Sequence, residues 1–171
     1  MPSMPHDNRY LGSESKEHLR GSILSVSYGK GFKGKATKLH SVIIRSLGHC
    51  ENCDYVCPCI DKWKHTIGCK LQAAHLEGRT ASGTRTQLRN AYCLDASCHR
   101  KFTDKPLTFA AFVDSSWAAE YKDRLVVLSR PMTTGQKMDW EEELVRLKAM
   151  HDDLKNNRLT IKEAREIEHD E

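Results

Sequence analysis

Two histidines and an asparagine in one short stretch, LQAAHLEGRTASGTRTQLRNAYCLDASCHRKF, have the types and spacing to do chemistry. They are His75, Asn90 and His99, and cysteines and arginines surround them. A histidine titrates near neutral pH, so it can accept or donate a proton, and its imidazole is a common metal ligand. Taken singly, a histidine on an apolar strand or an asparagine near a turn has an ordinary structural explanation. The three residues together, framed by cysteines, predict a functional site.

Four of the seven cysteines form two pairs that predict a structural zinc site. Cys50 and Cys53 are separated by two residues, and Cys93 and Cys98 by four. Two such pairs can place four thiolates at the corners of a tetrahedron around Zn²⁺. An odd number of cysteines cannot all form disulfides, and the start of the chain has no apolar, signal-like stretch. We therefore expect an intracellular, reducing location.

The other three cysteines leave a second metal site open. Cys57, Cys59 and Cys69, with His65 among them, could supply three thiolates and an imidazole to a second zinc ion. A single residue separates Cys57 from Cys59, which is close for a zinc-binding pair. These cysteines could also exchange roles with Cys53 of the first site. The sequence therefore does not decide the ligand set of a second ion.

A short β-hairpin followed by a helix would position the candidate residues. KLQAAH is apolar enough for a strand, EGRTASGTRTQ is rich in turn residues, and LRNAYC can return as a second strand. DASCHRKF then predicts a helix, with Asp95 or Ser97 as its N-cap. His75 would lie on the first strand, Asn90 on the second and His99 in the first turn of the helix. The predicted fold is α+β, with a zinc-clipped ββα core.

Helices are predicted on both sides of this core. Apolar residues at helical spacing predict a helix over Lys35–Leu47. Aromatic and apolar residues predict one or two more over Leu107–Leu128, with a break at Asp114–Ser116. Further along the chain, Asp139 can cap another helix. Flanking α-helices therefore complete the predicted architecture.

The order and spacing of His75, Asn90 and His99 between the cysteine pairs resemble the HNH endonuclease family, whose core is the ββα-metal finger. The resemblance covers about Cys50–Thr103, and the wider context, with a helix before Cys50 and FTDKP followed by aromatic helices, looks like the small HNH proteins common in bacteriophages and prophages. It implies a metal-dependent endonuclease that hydrolyses phosphodiester bonds of DNA. His75 would be the general base, and Asn90 would hydrogen-bond across the hairpin to fix the loop that carries the base. His99 would ligate a catalytic divalent ion, which is Mg²⁺, Mn²⁺ or a transition metal.

One position departs from the pattern of the family. Many members carry an aspartate or histidine just before the base, as a second metal ligand, and this chain has Ala74 there. Asp104, Asp95 or Glu77 could take that role, or water and the substrate phosphate could complete the shell, as Mg²⁺ often allows. The alternative function is therefore a catalytically inactive zinc module that binds DNA or another protein.

The distribution of charge favours DNA as the partner. The formal net charge is +4, but residues 139–171 hold eleven acidic and six basic residues, which gives −5. The preceding residues hold 21 basic and 12 acidic residues, which gives +9. A basic body suggests a polyanionic partner. The predicted phosphate contacts are Arg79, Arg85, Arg89, Arg100, Lys33 and Lys35.

Three parts are predicted along the chain. They are a flexible basic arm at 1–34, an HNH nuclease domain with the four-cysteine zinc site at 35–130, and a linker with acidic C-terminal helices at 131–171. Those helices could also serve as a protein-interaction surface. No apolar run approaches the roughly 20 residues of a membrane span, so no membrane contact is expected. Cutting both DNA strands would need two sites, so a homodimer is a further expectation.

Overall fold

The fold is a small antiparallel hairpin surrounded by helices. The structure, a computed structural model, describes residues 30–65, 68–77, 83–123 and 138–170. Its elements are α1 (Phe32–Arg45), β1 (Leu71–His75), β2 (Ala91–Asp95), α2 (Ala96–Asp104), α3 (Pro106–Asp114), α4 (Trp140–Lys155) and α5 (Ile161–Asp170), with a short 3₁₀ helix at Leu88–Asn90. This mixture of helices and one two-stranded sheet belongs to the α+β class, as predicted.

The hairpin pairs β1 with β2 so that Leu71 lies opposite Asp95 and His75 opposite Ala91. All of β2 is buried, whereas β1 has an exposed residue at Gln72 and a half-buried one at His75. One detail differs from the predicted hairpin. Asn90 ends the 3₁₀ helix and lies just before β2 instead of within it, because the chain turns sharply there to bring its side chain back across the loop.

Helix α2 follows β2 without a connecting loop because Asp95 caps its N-terminus. The Asp95 Oδ1 atom accepts a hydrogen bond from the Ser97 backbone N–H at 2.8 Å. Helix α3 starts at Pro106, which suits the first turn of a helix because its missing N–H would have no partner there. The predicted break at Asp114–Ser116 is confirmed, since α3 ends at Asp114.

Helix α1 packs along α4 and closes one side of the core. Ile43 and Ile44 of α1 and Leu147 of α4 are completely buried. Helix α1 begins at Phe32, after Gly31, whose φ of 95° suits glycine. The end of the predicted flexible arm is therefore helical, and residues 1–29 lie outside the described part of the chain. Asp139 caps α4 as predicted, through its side-chain bonds to two backbone N–H groups.

Helix α5 packs on the 3₁₀ helix just before β2, and its buried residues join the same hydrophobic core as α1 and the hairpin. On the other side of the hairpin, Tyr92 packs against an aromatic group made by Phe102, Phe109, Phe112 and Trp117. The acidic C-terminal helices therefore complete the core.

None of the helices in the described ranges has the length and apolar character needed to cross a membrane. The predicted linker, 130–136, lies outside those ranges.

Candidate metal centres and catalytic hairpin

The first group of candidate metal ligands joins the loop after α1 to the start of α2. It consists of Cys50, Cys53, Asp95 and Cys98, whose ligand atoms all lie within 4.8 Å of one another. Cys50 and Cys53 flank a bend, while Asp95 and Cys98 belong to the end of β2 and the first turn of α2. Three sulfurs and a carboxylate oxygen are donors that a zinc-like ion accepts in a closed, four-coordinate structural site.

Asn52 supplies hydrogen bonds to two of these sulfurs. Its backbone N–H donates to Cys50 Sγ at 3.5 Å, and its side-chain Nδ2 donates to Cys98 Sγ at 3.2 Å. Burial raises the pKa of the Cys98 thiol to about 12, so a cation is needed to hold it as a thiolate at neutral pH. The Asn52 donors would then stabilise the charge of the bound thiolate.

Cys93, predicted as the fourth ligand, is not a member of this group, and Asp95 takes its place. Cys93 lies opposite Ala73 in the middle of the hairpin, and its side chain is completely buried. Burial raises the pKa of its thiol, and because Cys93 belongs to neither group of candidate ligands we assign it to the hydrophobic core. Two residues separate Asp95 from Cys98, as two residues separate Cys50 from Cys53. This spacing allows Asp95 and Cys98 to reach the group as a pair.

The second group of candidate ligands is Cys57, Cys59, His65 and Cys69, again with all ligand atoms within 4.8 Å. Cys57 Sγ lies 2.9 Å from Cys69 Sγ, which lies 3.1 Å from His65 Nδ1. Burial raises the pKa of Cys57 to about 12 and lowers the pKa of His65, so this imidazole is neutral, as a metal ligand must be. The four residues considered for a second zinc-like site are thus brought together, despite the single residue between Cys57 and Cys59.

Asn90 joins both ends of the loop between the two strands. Its Oδ1 accepts a hydrogen bond from the Glu77 backbone N–H at 2.7 Å. Its Nδ2 donates to the backbone carbonyls of Glu77, at 3.2 Å, and Thr84, at 2.9 Å. The side chain is completely buried, so it satisfies backbone groups that water cannot reach. The loop that follows His75 therefore starts and ends at positions set by Asn90.

His75 is held at the end of β1 by the other side of the same loop. Its Nε2 lies 3.1 Å from the backbone carbonyl of Arg85, and since a carbonyl only accepts, Nε2 carries the proton. The ring lies 5.4 Å from the ring of His40 in α1. His40 is completely buried, and burial together with His75 lowers the pKa of His40 to about 3. A neutral imidazole therefore packs beside the predicted base.

His99 lies on the opposite face of the hairpin, beside the exposed side chain of Gln72. The Nδ1 atom of His99 is 2.5 Å from Gln72 Oε1. Residues 72 and 74 share one face of β1, because side chains alternate along a strand, whereas His75 points to the other face. Ala74 therefore faces the same side as His99, and its methyl group provides no ligand atom. In the described ranges, His99 belongs to no group of three or more histidine, cysteine or carboxylate ligands.

The predicted phosphate-binding arginines have different environments. Arg85 is half-buried in the loop next to His75, and Arg100 is exposed on α2 beside His99. Arg79 lies outside the described residues. Arg89 is only 5% exposed, and its guanidinium donates to backbone carbonyls of α5 and lies 3.8 Å from the ring centre of Tyr121. The assignment of Arg89 is therefore corrected, because the guanidinium ties α5 to the hairpin and cannot reach a phosphate.

Lys33 and Lys35 are exposed on the first turn of α1, so Lys33 is helical and does not lie on the predicted flexible arm. The Lys33 ammonium lies 5.3 Å from the ring centre of Trp140, and that of Lys35 lies 5.9 Å from the ring centre of Phe32. Both side chains keep their charge at the surface, so they remain available to an anion.

An ion pair that sequence reasoning missed connects the first metal-ligand group to the C-terminal helix. Glu51, between Cys50 and Cys53, accepts two hydrogen bonds from Arg165 of α5, at 2.9 and 3.2 Å. It also accepts hydrogen bonds from the Trp117 indole at 3.0 Å and the Cys93 backbone N–H at 2.6 Å. Nothing in the local sequence relates residues so far apart, and only the fold reveals the pair.

Comparisons of this chain with protein-family models, with curated proteins and with solved structures each found no match.

Proposed function

We propose that the protein is a metal-dependent HNH endonuclease that hydrolyses phosphodiester bonds of DNA. The observation that carries the proposal is the hairpin and helix unit, in which Asn90 closes the loop after His75 and α2 presents His99 beside β1. The three residues named by the resemblance therefore lie within one hairpin and helix unit, with His75 at the end of β1 and His99 in the first turn of α2.

The hydrogen bond of His75 supports its proposed role as the general base. Because the Nε2–H group donates a hydrogen bond to the backbone carbonyl of Arg85, the lone pair of the neutral ring is on Nδ1. Nδ1 can accept the proton of the attacking water as the water oxygen bonds to phosphorus and the bond from phosphorus to the leaving oxygen breaks. The carbonyl of Arg85 then stabilises the imidazolium, and the bonds of Asn90 keep this loop in place. The base is thereby oriented before the substrate arrives.

His99 would hold the catalytic divalent ion, which would compensate charge on the scissile phosphate and the leaving oxygen. The fit of the chain to such an ion rests on one imidazole, so water and substrate oxygens must supply most of its ligands, as they do for many Mg²⁺ sites. The two cysteine groups have the soft donors that suit enclosed structural ions. We therefore assign zinc to the cysteine groups and a separate, exchangeable ion to His99.

DNA would approach the unit along exposed basic residues. Arg85 is half-buried in the loop that contacts His75, Arg100 is exposed and follows His99 in the chain, and Lys33 and Lys35 are exposed on α1. Contacts of this kind recognise the phosphate backbone and carry little sequence information. The proposed enzyme therefore binds DNA with a steep dependence on salt and with weak sequence preference. Cutting both strands would require a homodimer or two successive binding events.

The test is cleavage of supercoiled plasmid in EDTA, Mg²⁺, Mn²⁺ and Ni²⁺. Wild type should convert the plasmid to open-circle or linear form only with a divalent ion. His75→Ala and His99→Ala should abolish conversion while retaining zinc, and His151→Gln, outside the unit, should cleave like wild type. Intact plasmid with wild type in every metal would refute the nuclease proposal.

A non-catalytic DNA-binding module is the second candidate, and Ala74 is the observation that favours it. Its methyl group occupies the position from which a second ligand would reach the ion beside His99. Binding without cleavage predicts a retained, strongly salt-dependent affinity for DNA that does not change with Mg²⁺ or Mn²⁺. Filter binding in increasing salt, with and without these ions, therefore distinguishes the two candidates in the same protein samples.

A further inference from the structure

The two groups of candidate metal ligands differ in how far the protein protects them from solvent. In the first group, Cys50, Asp95 and Cys98 are buried, and Cys98, the most exposed of the three, is only 7% exposed. In the second group, all four ligands are half-buried. These four lie between α1 and β1, outside every helix and strand of the described chain. The second group is therefore more open to a small solute.

Hydrogen bonds protect the first group further. The Asn52 side chain donates to Cys98 Sγ at 3.2 Å, and the Asn52 backbone N–H donates to Cys50 Sγ at 3.5 Å. Such bonds stabilise the charge of a thiolate, which makes the sulfur a weaker nucleophile. Cys53 is the exposed ligand of this group. Within the group it could form a disulfide only with Cys50 or Cys98, whose sulfurs are buried and hydrogen-bonded.

Two sulfurs of the second group are already in contact. Cys57 Sγ lies 2.9 Å from Cys69 Sγ, so a disulfide between them needs only a small movement of the two side chains. The two cysteines are 12 positions apart in the chain. A disulfide would therefore join the same two points of the chain that a shared metal ion would join.

We propose that the second group is a redox-sensitive metal site, which releases its zinc when a peroxide joins Cys57 to Cys69 while the first group keeps its ion. The Cys57 thiolate attacks hydrogen peroxide, so that a sulfur–oxygen bond forms, the oxygen–oxygen bond breaks and hydroxide leaves. The Cys69 thiolate then attacks the Cys57 sulfur, and the sulfur–sulfur bond forms as the sulfur–oxygen bond breaks and a second hydroxide leaves. The two sulfurs lose two electrons, which the peroxide gains.

The release follows from the loss of ligands. A zinc ion in this group would lose two of its thiolates, and Cys59 and His65 alone do not complete the four-coordinate shell of a structural site. The step requires zinc in both cysteine groups but no nuclease activity. A thiol reductant reverses it, because thiolate attack on the disulfide regenerates both ligands.

The first experiment follows zinc with a chromogenic chelator while hydrogen peroxide is titrated into the zinc-loaded protein. Wild type should start with about two zinc ions per chain, one for each group, and should lose half of its zinc at a dose that leaves the rest bound. Dithiothreitol and added zinc should restore the starting content. Peptide mapping by mass spectrometry after alkylation should find a disulfide between Cys57 and Cys69 and free thiols at the cysteines of the first group.

Two variants test the cause of the difference. Cys69→His keeps a ligand atom for zinc but removes the disulfide partner, so it should retain its zinc at the dose that releases half of the zinc of wild type. Asn52→Leu removes the side-chain donor to Cys98, so the zinc of the first group should be released at a lower dose than in wild type. Asn156→Leu is the matched control, because the Asn156 side chain bonds a backbone carbonyl at an exposed helix end, and it should behave as wild type.

Several outcomes would overturn the redox-sensitive site. They are loss of zinc from both groups at one dose in wild type, a disulfide within the first group, and zinc release from Cys69→His as easy as from wild type. A wild-type protein with a single zinc ion, unchanged in Cys57→Ser, would also overturn it, because the second group would then hold no ion. None of these outcomes depends on plasmid cleavage, so the nuclease and the redox-sensitive site are tested separately.

Discussion

At the scale of single residues, buried polar side chains set the geometry of the hairpin. Asn90 uses both ends of its amide to satisfy backbone groups at residues 77 and 84. A buried backbone group without a partner costs about 1–3 kcal/mol. The positions of residues 77 and 84, at the two ends of the loop after His75, are therefore maintained by the energetic cost of breaking these bonds.

Replacement of Asn90 by alanine should lower the free energy of unfolding by about 2–3 kcal/mol, because buried backbone groups lose their partners. It should also abolish plasmid cleavage although His75 and His99 remain. Urea unfolding and the plasmid assay measure the two effects. Asn156→Ala is the matched control, since Asn156 bonds a backbone carbonyl at an exposed helix end, and it should change stability by less than about 0.5 kcal/mol. Equal effects in the two variants would contradict the role given to Asn90.

The first ligand group contains Asp95 and not the predicted Cys93. This difference predicts how the zinc content responds to mutation of each residue. Cys93→Ala should keep the zinc of wild type, because Cys93 belongs to the core. Asp95→Ala should lose or weaken it, whereas Asp95→Cys should retain it although the helix cap is lost. Zinc per protein, measured by a colorimetric chelator after gel filtration, checks this. Zinc loss in Cys93→Ala with retention in Asp95→Ala would restore the four-cysteine site.

At the scale of elements, helix α5 clamps the hairpin to the first metal-ligand group. Arg165 binds Glu51 and donates to the backbone carbonyls of Leu88 and Ala91. Glu168 accepts hydrogen bonds from the backbone N–H groups of Leu88 and Arg89. Charged residues of the predicted acidic C-terminal helices are thus fixed against the strand that leads to Asp95.

Removal of the ion pair between Arg165 and Glu51 should destabilise the protein. Arg165→Met leaves the carboxylate of Glu51 buried without its cation, so the free energy of unfolding should fall by about 3–5 kcal/mol. The additional replacement Glu51→Gln should recover part of that loss. Arg158→Met removes an exposed pair with Asp153 and should cost at most about 1 kcal/mol. Urea denaturation of the four proteins tests this, and similar losses for Arg165→Met and Arg158→Met would show that the buried pair contributes nothing special.

Local signals in the sequence predicted most of the elements, and tertiary contacts account for what they missed. Neighbouring residues in the sequence encode the two strands of the hairpin, the break after Asp114 and the helix cap at Asp139. Three features depend on how distant elements meet. They are the presence of Asp95 instead of Cys93 among the candidate ligands, the burial of Arg89, and the ion pair between Glu51 and Arg165. The spacing of the cysteines limits which residues could be ligands of the first metal group. The fold decides among them, because β2 ends at Asp95 and places that side chain in the group.

At the scale of the whole molecule, one core unites the hairpin with helices from both ends of the described chain. His40 of α1 is completely buried in it, near His75 of the hairpin and Arg146 and Arg165 of the C-terminal helices. Its Nε2 lies 3.1 Å from the carbonyl of Gln87 and therefore carries the proton of the neutral ring. Stability consequently depends on keeping this imidazole uncharged.

The pH dependence of stability should reveal the buried imidazole. The pKa of His40 is lowered to about 3 in the folded protein, against 6.5 for an ordinary histidine. Its contribution is therefore present above pH 6.5 and is lost as pH falls toward 3, by about 1.4 kcal/mol per pH unit. His40→Gln keeps a donor for Gln87 and should remove that part of the slope. Urea unfolding of both proteins between pH 7 and 4 measures the difference, and identical slopes would exclude a neutral buried His40.

The attachment of α5 to the hairpin has a consequence for the order of events during translation. Residues 71–95 leave the ribosome well before residues 161–168, so the hairpin is synthesised without its clamp. During that interval the Leu88 N–H and Ala91 carbonyl lack their final partners, and Glu51 lacks its cation. We therefore expect the hairpin of a nascent chain to reach its final geometry only after helix α5 has left the ribosome and folded against it.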